Sequence, residues 1–199
     1  MKRITLPLTR DDTKALRAGD QCLLTGILYT ARDAAHKRLC EAPDKGETLP
    51  VDLQDITIYF AGPAPAKPGQ VIGSAGPTTS YRKDAHSPAL IQQGLTAMIG
   101  KGRRDASVVE AMKKYGAVYF GATGGCGALI AQRIVKAEVV AYGDLGAEAI
   151  HKLYVEDVPV TVIIDAQGHD LYEEGPAAYR RTTSIRPSPP CAKGGGQNL

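Results

Sequence analysis

Segments typical of β-strands and of α-helices alternate through much of this 199-residue chain, and near its end strands follow one another without helices between them. Strands are predicted at residues 4–8, 21–30, 56–61, 96–99, 117–120, 135–142, 150–155 and 160–164. Helices are predicted after Thr9, at 31–41, after residue 82 with a break near Pro88, after Asp105 and at 128–133. This order predicts an α/β fold with mixed sheets and helices on one face.

The length and composition indicate one well-cored domain, since 43% of the residues are hydrophobic and 23% are charged. We place this domain at residues 1–175 and expect a disordered tail at 176–199, where Pro, Gly and Ser are frequent. No apolar run reaches the roughly 18 residues of a membrane span, and the N-terminus turns acidic too soon for a signal peptide. We therefore expect a cytoplasmic protein that does not contact a membrane.

The net charge of +3 is concentrated in the tail, which contains Arg180, Arg181, Arg186 and Lys193 and no acidic residue. Without these four charges, residues 1–175 carry a net charge of −1. A nucleic-acid-binding domain needs a basic face on its folded part, so the sequence argues against such a partner.

The cysteines are single residues at positions 22, 40, 126 and 191, with no CxxC pair. This spacing is unlike that of a structural zinc site or a redox dithiol, so we expect the chain to hold no metal of its own. Cys126 is expected to be a small core residue.

Residues 76–82, GPTTSYR, form a candidate anion site. Gly76 and Pro77 restrict the backbone before two adjacent hydroxyls, Thr78 and Thr79. If Thr78 begins a helix, Arg82 lies on the same face four residues later, next to free backbone N–H groups. An ordinary helix cap at a threonine is the simpler alternative.

Further cationic residues occur in two other motifs. Arg32 and His36 are four residues apart in a predicted helix, and Lys101 stands between two glycines that allow close approach of a ligand. Each could instead be an ordinary paired or surface residue. Together, Arg32, Arg82 and Lys101 around the two threonines would suit a dicarboxylate, and inorganic phosphate or sulfate would also fit.

Gly121, Gly125 and Gly127 match the glycine spacing of a dinucleotide-binding loop, and Asp144 could serve as its ribose-binding acid. However, no helix of useful length separates this loop from the next predicted strand. A second glycine segment, residues 94–101, resembles a phosphate-binding loop but lacks Ser or Thr after the lysine. Dinucleotide binding is therefore the weaker alternative.

Several motifs together resemble the β region of the iron–sulfur class I fumarases and L(+)-tartrate dehydratases. They are TGxLxxxRDAAHKR at 25–38, YFAGP at 59–63, GPTTSYR at 76–82, GKG at 100–102, GATGGCGAL at 121–129 and GDLGAEAIHKLYVEDVPV at 143–160. The resemblance implies a swivelling β/β/α domain that works with a separate α subunit. It also implies that this partner, and not the present chain, holds a [4Fe-4S] cluster, and that the two chains assemble as α–β pairs.

The resemblance assigns roles to six residues. Arg32, Thr79, Arg82 and Lys101 would bind the substrate carboxylates, Thr78 would move the proton at carbon, and His36 matches a second polar, catalytic position. A threonine hydroxyl is a poor base, so Thr78 requires help from nearby groups.

The implied reaction is the reversible hydration of fumarate to (S)-malate by a hydro-lyase. The segments GKGRRD and EAIHKLYVEDVPV favour a fumarase over a tartrate dehydratase. A tartrate dehydratase β subunit, which would help convert tartrate to oxaloacetate, and a non-catalytic dicarboxylate-binding module are the alternatives.

Overall fold

The computed structural model describes residues 1–180, in which seven strands form one mixed sheet. The strands are β1 (Lys2–Thr5), β2 (Gln21–Thr30), β3 (Thr57–Tyr59), β4 (Ala97–Gly100), β5 (Val118–Gly121), β6 (Ile134–Ala141) and β7 (Ile150–Ile164). The helices are α1 (Arg10–Lys14), α2 (Asp33–Asp44), α3 (Ser87–Gln92), α4 (Ala106–Tyr115), α5 (Gly127–Ala131) and α6 (Leu171–Tyr179), with 3-10 helices at Tyr81–Lys83 and Gly143–Glu148.

Five of these strands close into a small ring. β1 to β5 pair in parallel in chain order, and β7 runs antiparallel to both β5 and β2. β7 thus joins the two ends of the β2–β5 series, while β1 and β6 extend the sheet outside the ring. The expected α/β class with mixed strand directions is confirmed, and the seven strands form one sheet that contains a closed ring.

Strands β3 and β4 and most of β5 are buried on both faces, and two apolar clusters flank them. One cluster contains Leu24, Tyr59 and Phe120 and is built mainly from strands. The other joins their sequence neighbours, such as Ile58 and Tyr119, to apolar residues of α2, α3 and α4. Alternate residues of one strand therefore enter different clusters, as the two-residue period of a strand requires.

The prediction of two separate strands at 150–155 and 160–164 is wrong, because β7 runs through both. The polar residues between the two predicted strands form an irregularity within β7, where the register with β2 shifts, and not a loop. Asp157 has a positive φ of 51°, and its backbone N–H donates to Thr25 Oγ1 at 3.0 Å. Pro159 then pairs with Leu23 of β2, so the long strand stays attached to the ring.

Other boundaries differ by a few residues. The strand at 21–30 is confirmed, whereas the first strand lies at Lys2–Thr5 and ends before Pro7, which has no N–H to donate. Thr9 caps α1 in a capping box with Asp12, as the sequence predicts.

The expected tail begins at residue 176, but α6 continues to Tyr179. The rest of that tail, residues 181–199, lies outside the described residues. Within residues 1–180, no helix is both long and apolar enough to cross a membrane.

Candidate functional site

The sequence-predicted site residues lie near one edge of the ring. Because β2 to β5 are parallel, their carboxyl ends meet at the same edge. Arg32 follows β2 and Lys101 follows β4. A Cβ added to Gly62, after β3, would stand 2.8 Å from Arg32 Cδ, and one added to Gly124, after β5, would stand 3.5 Å from Lys101 Nζ. Both cationic side chains therefore lie against backbone at this edge.

The two threonines are held by backbone pairing and do not begin a helix. Thr78 N donates to Phe60 O at 2.7 Å, and Thr79 forms a parallel bridge with Lys101. Only a short 3-10 helix, Tyr81–Lys83, follows. The predicted helical spacing of Thr78 and Arg82 is therefore wrong, because these backbone groups are committed to neighbouring strand ends.

The glycines around Lys101 are explained by close packing. A Cβ on Gly100 would stand 2.1 Å from Ser80 Oγ and 2.8 Å from the Phe60 ring, and Gly102 has a φ of +84°. Ser80 N donates to Lys101 O at 2.9 Å. The loop with Lys101 is thereby held directly against the threonine segment.

Two carboxylates orient the arginines. Glu148 Oε1 lies 3.3 Å from Arg32 Nη2, while its Oε2 accepts from Ala34 N at 3.0 Å, in the first turn of α2. Asp33 Oδ2 lies 3.6 Å from Arg82 Nε, a loose ion pair that leaves the Arg82 side chain 43% exposed. Arg82 can therefore contact an arriving anion.

A buried lysine that is not among the predicted site residues lies beneath the threonines. The Lys83 side chain is 0% exposed, and its Nζ lies 2.9 Å from Asp33 Oδ1. The same ammonium donates to Thr78 Oγ1 and to Thr79 O, each at 3.0 Å. A lysine is seldom fully buried without a partner, and nothing in the one-dimensional pattern marks this position as buried.

Each member of this ion pair alters the ionisation of the other. Burial lowers the pKa of Lys83, and the Asp33 carboxylate offsets part of that effect. Burial alone would raise the pKa of Asp33, but Lys83, Arg82 and Arg32 hold it below the ordinary value. Four cationic side chains, including Lys101, thus face two carboxylates, Asp33 and Glu148, which leaves the candidate site positive.

His36 is placed behind the candidate site and not on its open face. Its side chain is fully buried, and the ring lies edge-on to Phe60 with centroids 5.2 Å apart. Nδ1 lies 2.9 Å from Arg32 O, and a carbonyl can only accept, so Nδ1 carries the proton. Burial lowers the pKa of His36 to about 3, which keeps the ring neutral. A catalytic role for His36 stays a prediction.

The buried His36 ring predicts acid sensitivity. Its pKa is 6.5 in an ordinary setting and about 3 in the fold, so between these pH values the unfolded chain binds more protons than the folded one. The free energy of unfolding therefore decreases as the pH is lowered through this range. His36→Asn keeps a donor near Arg32 O but does not titrate. On acidification to about pH 4.5, we expect this variant to lose about 2–3 kcal/mol less than the wild type, as measured by urea unfolding. Equal losses would contradict the neutral ring.

An ion pair with both members buried joins the segments on either side of the candidate site. Arg104 Nε donates to Asp84 Oδ1 at 2.7 Å, and Asp105 N donates to Asp84 Oδ2 at 2.7 Å. The Arg104 guanidinium also lies over the rings of Phe60 and Tyr119. Because Asp84 follows Lys83 and Arg104 follows the loop with Lys101, the pair ties the two site loops together.

The geometry argues against the dinucleotide alternative. The glycine loop after β5 leads into α5, which has only five residues, and then into β6, which pairs antiparallel with β7. A dinucleotide fold instead needs a parallel strand after the helix. Asp144 is engaged by Arg38 through two hydrogen bonds of 2.8 and 2.6 Å.

The candidate site is an open surface and not an enclosed cavity. Arg82 and Lys101 are exposed, and Thr78 and Thr79 are half-buried. A cleft of about 940 Å³ opens elsewhere, along β6 and β7, and includes Val135 and Tyr154 in its lining. The chemistry-bearing residues and this larger cleft therefore occupy different places.

Comparisons with known proteins agree with the resemblance in the motifs. The chain is 42% identical over 153 residues to the aerobic class I fumarate hydratase of Escherichia coli, covering 76% of this chain and 28% of that protein. It is 38% identical over 158 residues to fumarate hydratase 2 of Leishmania major, covering 78% of this chain and 28% of that protein. The chain thus spans little more than a quarter of these fumarate hydratases.

A protein of Methanocaldococcus jannaschii, provisionally named L(+)-tartrate dehydratase subunit beta, is 39% identical over 173 residues. That match covers 84% of this chain and 89% of the archaeal protein. Residues 1–175 also match the family model described as "Fumarase C-terminus". The chain therefore belongs to the fumarase C-terminus family.

Proposed function

We propose that this chain is the β subunit of an iron–sulfur hydro-lyase that reversibly hydrates fumarate to (S)-malate. The observation that carries the proposal is the grouping of Arg32, Arg82 and Lys101 near the threonine pair, at the carboxyl edge of the parallel strands. A four-carbon dicarboxylate has two anionic ends, and separate cationic groups can hold both of them.

The roles proposed for the residues follow from their positions. Arg32, Arg82 and Lys101, with the Thr79 hydroxyl, bind the carboxylates and orient the substrate. Thr78, whose Oγ1 hydrogen bonds to Phe60 O at 2.7 Å, moves the proton at the carbon that does not carry the hydroxyl. His36 is proposed as the second catalytic position, and its neutral ring would act from behind the site through Phe60 and Arg32 O.

The proposed cofactor is a [4Fe-4S] cluster that the partner α subunit holds. Among residues 1–180, no group of three or more His, Cys, Asp or Glu is arranged to hold a metal ion. Burial also raises the pKa of Cys22 to about 11 and that of Cys40 above its usual value, which disfavours the thiolates that cluster ligation needs. When bound, the cluster would act as a Lewis acid towards the substrate hydroxyl.

We further propose that residues 1–175 form a swivelling β/β/α domain that docks on the α subunit in the cytoplasm. The open, positively charged candidate site supports a shared active site, because a partner surface would be needed to exclude water from it. The archaeal relative, which carries a subunit name and is matched over 89% of its length, favours the same arrangement.

That relative also keeps tartrate dehydration open as a second function. Both reactions remove or add water across two carbons of a dicarboxylate, so the same cationic residues would serve either substrate. Comparing turnover of (S)-malate and L(+)-tartrate by one assembled complex distinguishes the two functions.

Reconstitution with an iron–sulfur α subunit tests the proposal. We expect the assembled complex to hydrate fumarate, which is measured as a decrease in its ultraviolet absorbance. The Thr78→Val complex should be inactive, because the carbon then has no proton donor. The chain alone should be inactive. Fumarate hydration by the chain alone without iron would contradict the shared site, and thermal stabilisation of the lone chain by malate, without turnover by the complex, would favour a binding module.

A further inference from the structure

Lys83 is a buried titratable group that the proposed roles leave unused. Its ammonium has three protons, and three oxygens surround it within 3.0 Å: Thr78 Oγ1, Thr79 O and Asp33 Oδ1. The side chain is completely buried, and its Nζ lies 5.5 Å from the centre of the Phe60 ring. This geometry fixes the ammonium directly behind the Thr78 hydroxyl.

The hydrogen-bond directions at Thr78 form a relay. Thr78 Oγ1 donates its own proton to Phe60 O at 2.7 Å and accepts a proton from Lys83 Nζ at 3.0 Å. Thr78 is half-buried, so part of the residue remains accessible to a ligand. If the hydroxyl turns from Phe60 O towards a substrate carbon, Lys83 already stands on the other side of the oxygen.

We propose that Lys83 is a positioning residue that acts through Thr78 and exchanges a proton with its hydroxyl during the reaction. The inference rests on the proposed hydro-lyase function. It removes the difficulty that an isolated threonine is a poor acid and a poor base near neutral pH.

The proposed step is balanced in both directions. In hydration, the electron pair of the carbon–carbon double bond takes the Thr78 proton, and the pair of the broken O–H bond stays on Oγ1. That oxygen takes a proton from Lys83, whose nitrogen keeps the bonding pair and becomes a neutral amine. Water supplies the added hydroxyl and releases a proton to solvent. Solvent then returns one proton to Lys83, so no net proton is consumed. Dehydration reverses each transfer.

The surroundings of Lys83 allow it to change its charge. Asp33 on α2 faces it directly and favours the ammonium, while Arg82 on the same 3-10 helix and Arg32 at the start of α2 oppose it. The Arg104 guanidinium also lies over the Phe60 ring, and the neutral His36 ring of α2 lies edge-on to that ring. Burial favours the neutral amine further, so the pKa of Lys83 is lower than that of an exposed lysine.

A titration that needs no activity provides the first test. In the full chain labelled with ¹³C-lysine, the Lys83 side-chain signal is identified by its absence in Lys83→Met and followed by NMR against pH. We expect its midpoint to lie below those of the exposed lysines and to move lower in Thr78→Val, because an acceptor of the ammonium is lost. A Lys83 signal that titrates with the exposed lysines and is unmoved by Thr78→Val would overturn the inference. If Lys83→Met folds poorly, Lys83→Arg, which keeps the charge, provides the assignment instead.

Kinetics of the assembled complex provide the second test. We expect Lys83→Met to lower kcat for fumarate hydration by about 10²- to 10⁴-fold, with KM changed far less. In the wild type, hydration should decline as rising pH deprotonates Lys83, and the variant should lack this limb. Lys83→Arg keeps the charge but does not deprotonate, so it should not restore kcat. The control is Lys113→Met, which replaces an exposed lysine on α4 and should leave kcat unchanged.

The two proposals fail in different ways. If the wild-type complex does not hydrate fumarate, the proposed function fails, and the NMR titration still decides whether Lys83 and Thr78 are coupled. If the wild-type complex is active and Lys83→Met keeps its kcat and its pH profile, Lys83 has no part in proton transfer. If Lys83→Arg has the wild-type kcat, a fixed positive charge is sufficient at this position, and this result would contradict proton exchange with Thr78.

Discussion

We expect Arg82→Met to lower kcat/KM for fumarate by at least about 30-fold in the assembled complex, because a charge partner of a desolvated carboxylate typically contributes about 2–5 kcal/mol. The fold should be little affected. Arg82 is 43% exposed, and its 3.6 Å contact with Asp33 is a loose surface pair. Such pairs are usually worth less than about 1 kcal/mol.

A neighbouring arginine provides the matched control. Arg103 is exposed, two residues beyond Lys101, and forms its ion pair with Glu173 on α6. Arg103→Met should leave kcat/KM within about twofold of the wild type, since its charge is already paired with Glu173. Equal losses in the two variants would mean that only the general positive field matters, and an unaffected Arg82→Met would remove Arg82 from the site.

The largest effect on stability is expected at Asp84. Asp84→Ala should lower the free energy of unfolding by about 3–5 kcal/mol, because it leaves the buried Arg104 guanidinium without its carboxylate. Urea unfolding of the full chain measures this change. Lys113→Ala removes an exposed pair with Glu110 and should cost less than about 1 kcal/mol.

The double variant Asp84→Leu, Arg104→Met separates the buried charge from the packing. It should recover part of the lost stability, because neither charge then remains unpaired in the interior. A loss from Asp84→Ala no larger than that from Lys113→Ala would contradict the assignment of this pair as the link between the two site loops. The loops would then be held by backbone pairing alone.

Residues 21–30 show what the sequence could predict about the fold. Their apolar, β-rich run has clear turn signals before it, and the structure forms β2 over the same residues. Asp157 and Pro159 are typical of a loop and so predict two separate strands, whereas the structure forms the single strand β7 through both residues. Their backbone is instead retained by Thr25 and Leu23 of β2, and this long-range pairing leaves no local pattern.

In the candidate site, too, some residues could be predicted from the sequence and others could not. Arg32, Arg82 and Lys101 could be selected because they occur in distinctive glycine- or threonine-containing motifs. Lys83 and Asp33 could not be selected, since each carries an ordinary charge in a polar stretch. Their importance comes from the burial of Lys83 and from a 2.9 Å contact between residues fifty positions apart, which the fold brings together.

The central claim is that the cations around Thr78 and Thr79 bind both carboxylates of one acid. Succinate tests it directly, because it has two carboxylates but no hydroxyl to eliminate, so its calorimetric affinity for the assembled complex reports binding without turnover. We expect Arg82→Met to weaken succinate binding at least about 30-fold, and butyrate, with one carboxylate, to bind the wild type weakly. Equal succinate affinity in the wild type and in Arg82→Met would contradict the claim.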